Sequence, residues 1–386
     1  MVVLLVASLL LLLLGLAGSS LKSKDVYKAS GSNEMKESNM LITVSKAYSM
    51  ASTVLPDKYK HYEDVVLSKL NWISQDNIRV VRYIDSGRFS TVFEGTMARN
   101  NSNNVTEEVP VILKILKPTY VSKIKREIML LELLNKTEGV VQLLGYAKNV
   151  GCQTVTLIFE YFGSNSHWLS HNSPSGPLSK IEIKKYIYKL LKSLDGCHSK
   201  GVMHRDIKPR NVLFNREKSQ IRILDFGLSD IYIPEKQYNP SVASRHYKAP
   251  ELLFGYLFYD FGIDIWSTGC ILAGLLFDLE PFFCGSDLLD QIDAVAAVVG
   301  SRQILTWATK YKLKLSSAIK KAVGNYPKVP FESYINSNNS HLCCNQSLDL
   351  VSKMLAVDHQ DRITVRECLS HPYFDEVKSC DNIYTV

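Results

Sequence analysis

Two polar motifs, at residues 203–211 (MHRDIKPRN) and 223–227 (ILDFG), constrain this chain more than any other feature of its sequence. Each is flanked by apolar residues typical of short buried strands. Either alone would carry little weight. Both together, with 19 residues from Asp206 to Asp225 and Asn211 between them, leave a chance match improbable. The residues around them divide the chain. Short runs of β-branched and aromatic residues at 78–84, 91–95 and 109–115 predict three strands of a meander. Residues 123–134 predict a helix, with Ile124, Ile128, Leu131 and Leu134 forming a buried stripe. Further apolar runs at 140–146 and 155–162 complete a five-strand sheet with one helix. After Gly163 the pattern turns helical, starting at Ser179 and Glu182, which have capping-box spacing, and continuing through Ile183, Ile187, Leu190 and Leu194. The expected architecture is α+β and bilobal, with a small β-rich lobe at 78–162, a larger α-helical lobe at 163–374 and a tail at 375–386.

The motif residues suit phosphoryl transfer from a nucleoside triphosphate. That reaction is stabilised mainly by positioning and charge, so it needs a carboxylate to orient the accepting hydroxyl, oxygen ligands for Mg²⁺ and cations on the phosphates. Asp206 is the expected group to orient the hydroxyl and take its proton, and Lys208 can reach the transferred phosphate. Asn211 and Asp225 offer Mg²⁺ a neutral oxygen and a carboxylate, with Gly227 letting the backbone turn behind them. Upstream, Lys114 lies in an apolar strand (VILK), where a charge is costly unless it meets a partner. Glu127 on the following helix is the expected partner. Taken alone, Glu127 fits a solvated helix face equally well. Ile84, Asp85, Ser86, Gly87, Arg88, Phe89 and Ser90 form the expected phosphate-covering turn, followed by Val92. Gly87 at the tip allows close approach of backbone to phosphate. Asp85 is out of place there, because a carboxylate repels phosphate unless Lys114 and Mg²⁺ offset it. Downstream, Asp264 is placed to brace the catalytic-loop backbone and Arg362 to pair with Glu251.

The net charge of +7 reads as spread along the chain without an unbroken basic block, which argues against a dedicated nucleic-acid partner. Eight cysteines form no CxxC pair and keep no metal-ligand spacing with histidine. Residues 1–20 hold an apolar run from Val2 to Ala17, followed by small residues, and resemble a secretory signal. Sixteen helical residues rise about 24 Å, short of the roughly 30 Å hydrocarbon core, which favours cleavage over a stable span. No Lys or Arg precedes the run, so an N-terminal extension stands as the alternative, and localisation stays open between the secretory pathway and the cell interior. Asn-x-Ser/Thr triplets begin at Asn100, Asn104, Asn135, Asn338 and Asn345. Residues 21–46 read as a polar linker.

With these residues in place, the sequence resembles the protein kinases over roughly residues 47–374, and within their CMGC group it resembles the casein kinase II catalytic alpha subunit. The resemblance rests on KILKP at 114–118, KIKREI at 123–128, YNPSVASRHYKAPELL at 238–253, EPFFCG at 280–285 and DHQDRIT at 358–364. It implies a Ser/Thr kinase that is active without activation-loop phosphorylation, uses ATP or GTP with Mg²⁺, prefers acceptors followed by acidic residues and binds a regulatory beta subunit. It implies an N-terminal segment, 47–77, packed on the kinase core. It also implies an adenine pocket with Phe159 at its back, Ile112 and Leu213 on either face of the ring, and backbone hydrogen bonds from Glu160 and Phe162. Arg245 and Lys248 are the cations expected to face acidic substrate residues. The chain departs from the family at Ser241, Phe226, Ala249 and Arg210, and only Gly87 remains of the family's three loop glycines. Two alternatives remain, a pseudokinase scaffold and another CMGC kinase.

Overall fold

The computed structural model describes residues 40–56, 59, 67, 70–100, 106–149, 154–163, 166–168 and 176–381. The apolar leader, most of the linker, the Asn104 triplet and the last five residues lie outside the described residues.

The small lobe is one antiparallel sheet built from β1 (Ile78–Ser86), β2 (Ser90–Asn100), β3 (Thr106–Leu116), β4 (Leu143–Asn149) and β5 (Thr154–Glu160), in the order β1-β2-β3-β5-β4. Strand β5 is buried on both faces from Thr154 to Phe159, its two threonines included, which places it inside the sheet, while β4 takes the edge. Helix α1 (Val121–Leu133) leads from β3 to β4 and buries Ile124, Ile128, Met129, Leu130 and Leu131. Glu127 is buried in the same stripe, a carboxylate that must find a partner.

Three boundaries differ from the sequence reading. The hairpin of β2 and β3 runs further, through Ala98↔Glu108 and Asn100↔Thr106, because paired backbones carry polar residues as well as apolar ones. The apolar run at 140–146 splits: Val140 bridges to Ile223 in the other lobe, and β4 starts at Leu143. The stretch read as linker is packed from residue 40, with Thr43 Oγ1 bonded to Tyr256 Oη and His359 Nε2 at 2.9 Å and Lys46 Nζ donating to the Arg362 carbonyl at 2.7 Å.

The large lobe follows β6 (Ser166–Trp168) and begins with α2 (Lys180–His198). The capping box forms at its start, where Glu182 Oε2 accepts from Ser179 N at 2.8 Å. Arg216 also grips Glu182, and its hydrogen bonds hold that carboxyl down to about 2. Short strands β7 (Val202–Met203), β8 (Val212–Asn215), β9 (Gln220–Ile223) and β10 (Asp230–Ile231) follow, β8 and β9 joining β6 in one small sheet and β7 pairing with β10 in another. Then come α3 (Pro250–Leu253), α4 (Gly262–Phe277), α5 (Leu288–Val299), α6 (Ser301–Lys310), α7 (Ser317–Val323), α8 (Asn345–Met354) and α9 (Val365–Ser370). The predicted tail opens as a helix, α10 (Asp375–Asp381), with Val377 buried.

Helix α4 is mostly apolar and buried along nearly its whole length, so it forms the axis of the large lobe. Each Leu or Ile fully buried there contributes about 1.5–3 kcal/mol. The lobes are joined by backbone as well as by chain: Ile223 N donates to the Gly139 carbonyl at 2.7 Å and Val141 N to the Ile223 carbonyl at 3.1 Å. Gly139 has φ +72°, and a Cβ there would lie 1.8 Å from Ser193 Oγ, so this junction requires glycine.

Candidate active site

The two sequence motifs emerge from β7, β8 and β9 on the side of the large lobe that faces the sheet. Asp264, at the buried start of α4, accepts hydrogen bonds from His204 N at 2.9 Å, Arg205 N at 2.8 Å and His198 Nε2 at 2.9 Å. Burial opposes its charge, but these donors hold its carboxyl below the ordinary aspartate range. Its predicted bracing of the loop is present. His204 Nδ1 accepts from Asp206 N at 3.2 Å, so its other nitrogen carries the proton donated to the Leu224 carbonyl at 2.9 Å. One imidazole thereby ties the two motifs together, and its ring stands edge-on to buried Phe226.

Asp206 is almost fully buried and held from both sides. Its Oδ2 accepts from Lys208 Nζ at 2.8 Å and from Asn211 Nδ2 at 3.1 Å, and its Oδ1 accepts from the Ser244 backbone and hydroxyl, each at 2.8 Å. Ser244 Oγ also accepts from Lys208 Nζ at 2.8 Å. Sequence reasoning missed Ser244. It lies 38 residues from Asp206 in an irregular stretch, and only its place just before Arg245 hinted at the substrate shelf.

Lys114 lies on β3 and reaches both Glu127 Oε1 and Asp225 Oδ1 at 2.7 Å, which links the sheet, α1 and the large lobe. Burial works against the ammonium, but the two carboxylates prevail and raise it above the ordinary lysine value. The same contact overcomes the burial penalty on Asp225 and lowers it to about 2. Asp225 adopts φ +60°, a left-handed conformation that aspartate tolerates better than most residues.

The phosphate-covering turn joins β1 to β2, with Gly87 N donating to the Ser90 carbonyl at 2.9 Å. A Cβ on Gly87 would meet only the Ser90 carbonyl, at 4.0 Å, so packing does not demand glycine there and close approach by a ligand explains it better. Lys117 Nζ supports the turn from below, 2.6 Å from the Gly87 carbonyl and 3.1 Å from Ser86 Oγ. Arg88 and Lys123 flank the exposed ring of Phe89. Asp85 does not sit alone: its Oδ2 pairs with Arg210 Nη2 at 2.8 Å, across the mouth of the cleft. Two residues that looked anomalous separately are partners.

Half-buried Ile84, Val92 and Ile112 from the sheet and Leu213 from β8 line the space between the lobes, with Phe159 buried opposite Ile112 in the β3–β5 register. Glu160 has one backbone group left for the expected adenine edge. Its backbone N–H is already given to the Gln142 carbonyl at 3.0 Å, and its side chain binds Arg222 at 2.7 Å, which leaves only its carbonyl for a purine. The Phe162 ring stacks under the Arg222 guanidinium. On the shelf beyond Asp206, exposed Arg245 turns toward the carbonyls of Gly285 and Ser286. Lys248 folds inward, donating to the Val242 carbonyl, and burial lowers its ammonium to about 8.

Asn211 and Asp225 fit Mg²⁺ by the chemistry of their free atoms. The Asn211 amide nitrogen is spent on Asp206, which leaves its oxygen, and Asp225 keeps one carboxylate oxygen beyond the one that Lys114 holds. Among the described residues no group of three His, Cys, Asp or Glu could hold a metal, so such an ion would draw further ligands from the phosphates. Arg205, also overlooked in the sequence, is buried and bonded to the Leu228 carbonyl, Tyr259 Oη and Asp230.

Comparison with known families gives one finding. The family model described as "Protein kinase domain" matches residues 78–374.

Proposed function

Because the chain belongs to the protein kinase family, we propose that it transfers the γ-phosphoryl group of ATP to Ser or Thr hydroxyls followed by acidic residues, as casein kinase II catalytic subunits do. The observation that carries this reading is the Lys114–Glu127–Asp225 contact, closed at 2.7 Å on both sides. In kinases of this kind an assembled Lys–Glu pair marks the competent arrangement.

In the proposed reaction Asp206 orients the acceptor hydroxyl and takes its proton as the hydroxyl oxygen bonds to the γ-phosphorus and the bond to the β-phosphate oxygen breaks. Lys208, held by Ser244, stays beside the transferred group and offsets its charge. Lys114 holds the α- and β-phosphates. Mg²⁺, held by Asn211 and Asp225 when bound, supplies further neutralisation of phosphate charge.

Activity without phosphorylation of segment 225–251 is supported by Arg205, whose guanidinium already has Asp230, Tyr259 and a carbonyl as partners and needs no phosphate to fix it. It is also supported by the packed stretch before residue 47, where Ser45 N donates to Tyr232 Oη at 2.9 Å and so holds segment 225–251 in place. GTP as a second donor and a regulatory beta subunit follow from the sequence resemblance alone. A scaffold without catalysis is disfavoured by the full set of retained groups and by the pairing of Asp85 with Arg210, which gives the out-of-place carboxylate a counter-charge.

Asp206→Asn and Lys114→Met are each expected to lower phosphorylation of an acidic Ser peptide by at least about a thousandfold with the thermal midpoint retained. Radiolabel transfer from ATP measures this, and parental turnover in either variant would refute the assignment.

A further inference from the structure

The positive charge of this chain is concentrated, contrary to the impression its sequence first gives. Between Asp293 and Glu332 there is no acidic residue, and the stretch carries Arg302, Lys310, Lys312, Lys314, Lys320, Lys321 and Lys328. Those seven cations equal the net charge of +7 for the whole chain, so all other charges cancel. Every one of the seven is exposed. Lys310 pairs with Asp358 at 2.5 Å, and the other six meet no carboxylate among the described residues.

The fold gathers them on one side of the large lobe. Helix α6 starts near Arg302 and ends at Lys310, and α7 carries Lys320 and Lys321. After α7 the chain returns to the start of α6, with Ser301 N donating to the Tyr326 carbonyl at 3.0 Å and Val329 N to the Val298 carbonyl at 2.9 Å, which brings Lys328 beside Gly300 and close to Arg302. The described chain enters at this same place: Leu41 N donates to the carbonyl of Tyr311, between Lys310 and Lys312. Leu41, Ile42 and Val44 are exposed along this entry, and Leu305 on α6 adds a fourth exposed apolar side chain. In sequence, 22 residues separate the apolar run at residues 2–17 from Met40.

We propose that this face docks on an anionic membrane surface, with its lysines against lipid headgroups. A lone apolar segment binds lipid marginally, and a polybasic patch is the usual second contribution that makes attachment stable. Here the patch and the first described residues, with exposed Leu41, Ile42 and Val44, share one face. Six of the seven cations are lysines, compact point charges that suit attraction to a charged headgroup layer. The exposed ring within the patch, Tyr326, is tied to Asp293 at 2.6 Å and gives no free platform for stacking a base. The proposal is independent of the phosphotransfer reading.

The full chain is titrated with vesicles of phosphatidylcholine alone and of phosphatidylcholine mixed with phosphatidylserine, beside a variant carrying Lys314→Glu, Lys320→Glu, Lys321→Glu and Lys328→Glu. The parent is expected to bind the serine-containing vesicles at least about tenfold more tightly, to lose that preference at high salt, and to lose it in the variant at an unchanged thermal midpoint. Glutamine at the same four positions gives the same comparison where charge reversal impairs folding. Equal binding to both vesicle types, or a preference that survives in the variants, overturns the proposal. So does tighter binding of a DNA duplex or of polyglutamate than of the serine-containing vesicles at the same salt.

Discussion

Lys114 and Lys248 carry the same ammonium and meet opposite environments. Both lose water, but Lys114 is compensated by two carboxylates at 2.7 Å, whereas Lys248 is drawn against a carbonyl and feels only the weaker pull of Asp206. Lys114 therefore stays charged at any working pH, and Lys248 titrates near 8. Below that pH Lys248 is a cation, and above it a neutral amine. If it attracts the acidic residues of a substrate, the ratio of kcat/KM for acidic over neutral peptides should fall as pH rises through about 8. The corresponding ratio in Lys248→Met should stay flat across that range. A parental ratio independent of pH would contradict the role given to Lys248.

At the scale of elements, the turn between β1 and β2 and the loop before β8 belong to different lobes yet meet through Asp85 and Arg210. Both side chains are substantially exposed, so their attraction is worth only about 0–1 kcal/mol. The pair therefore closes the mouth of the cleft weakly and yields easily. Asp85→Asn is expected to leave the thermal midpoint nearly unchanged and to lower the KM for ATP, because it removes a carboxylate from the mouth of the cleft, where it repels a polyanionic nucleotide, and frees Arg210. Steady-state kinetics at fixed peptide would show it, and a raised KM would argue that the closed turn helps to hold the nucleotide. The motifs on these elements were legible in the sequence, but their partnership was not, since 125 residues separate the two side chains.

For the molecule as a whole, one contact costly to break is that between Arg362 and Glu251. The guanidinium and carboxylate meet at 2.7 and 2.9 Å, and both side chains are completely buried. Arg362 also binds the Gly262 and Ala356 carbonyls, so it joins the end of segment 225–251, the start of α4 and the loop before α9. Arg362→Met would leave Glu251 buried without a counter-charge, a loss of about 3–5 kcal/mol. Urea denaturation should show this as a lower midpoint, and pairing the change with Glu251→Leu should recover most of the loss. Failure of the double variant to recover would mean that the carbonyl contacts of Arg362, more than its charge, hold these elements.

Sequence alone determined the elements whose signals are local. The periodic stripe of α1, the Ser179–Glu182 capping box, the β-branched and apolar residues of β5 and the paired motifs around Asp206 and Asp225 each carry their physical reason within a few neighbouring residues. Tertiary structure decided what depends on distant atoms. The bridge from Val140 to Ile223, the Ser244 clamp on Asp206, the pairing of Asp85 with Arg210 and the folding of residues 40–46 onto the large lobe all arise between residues far apart in the chain. A hydrogen bond or ion pair forms wherever the finished fold brings its partners within about 3 Å, and chain spacing does not record that distance.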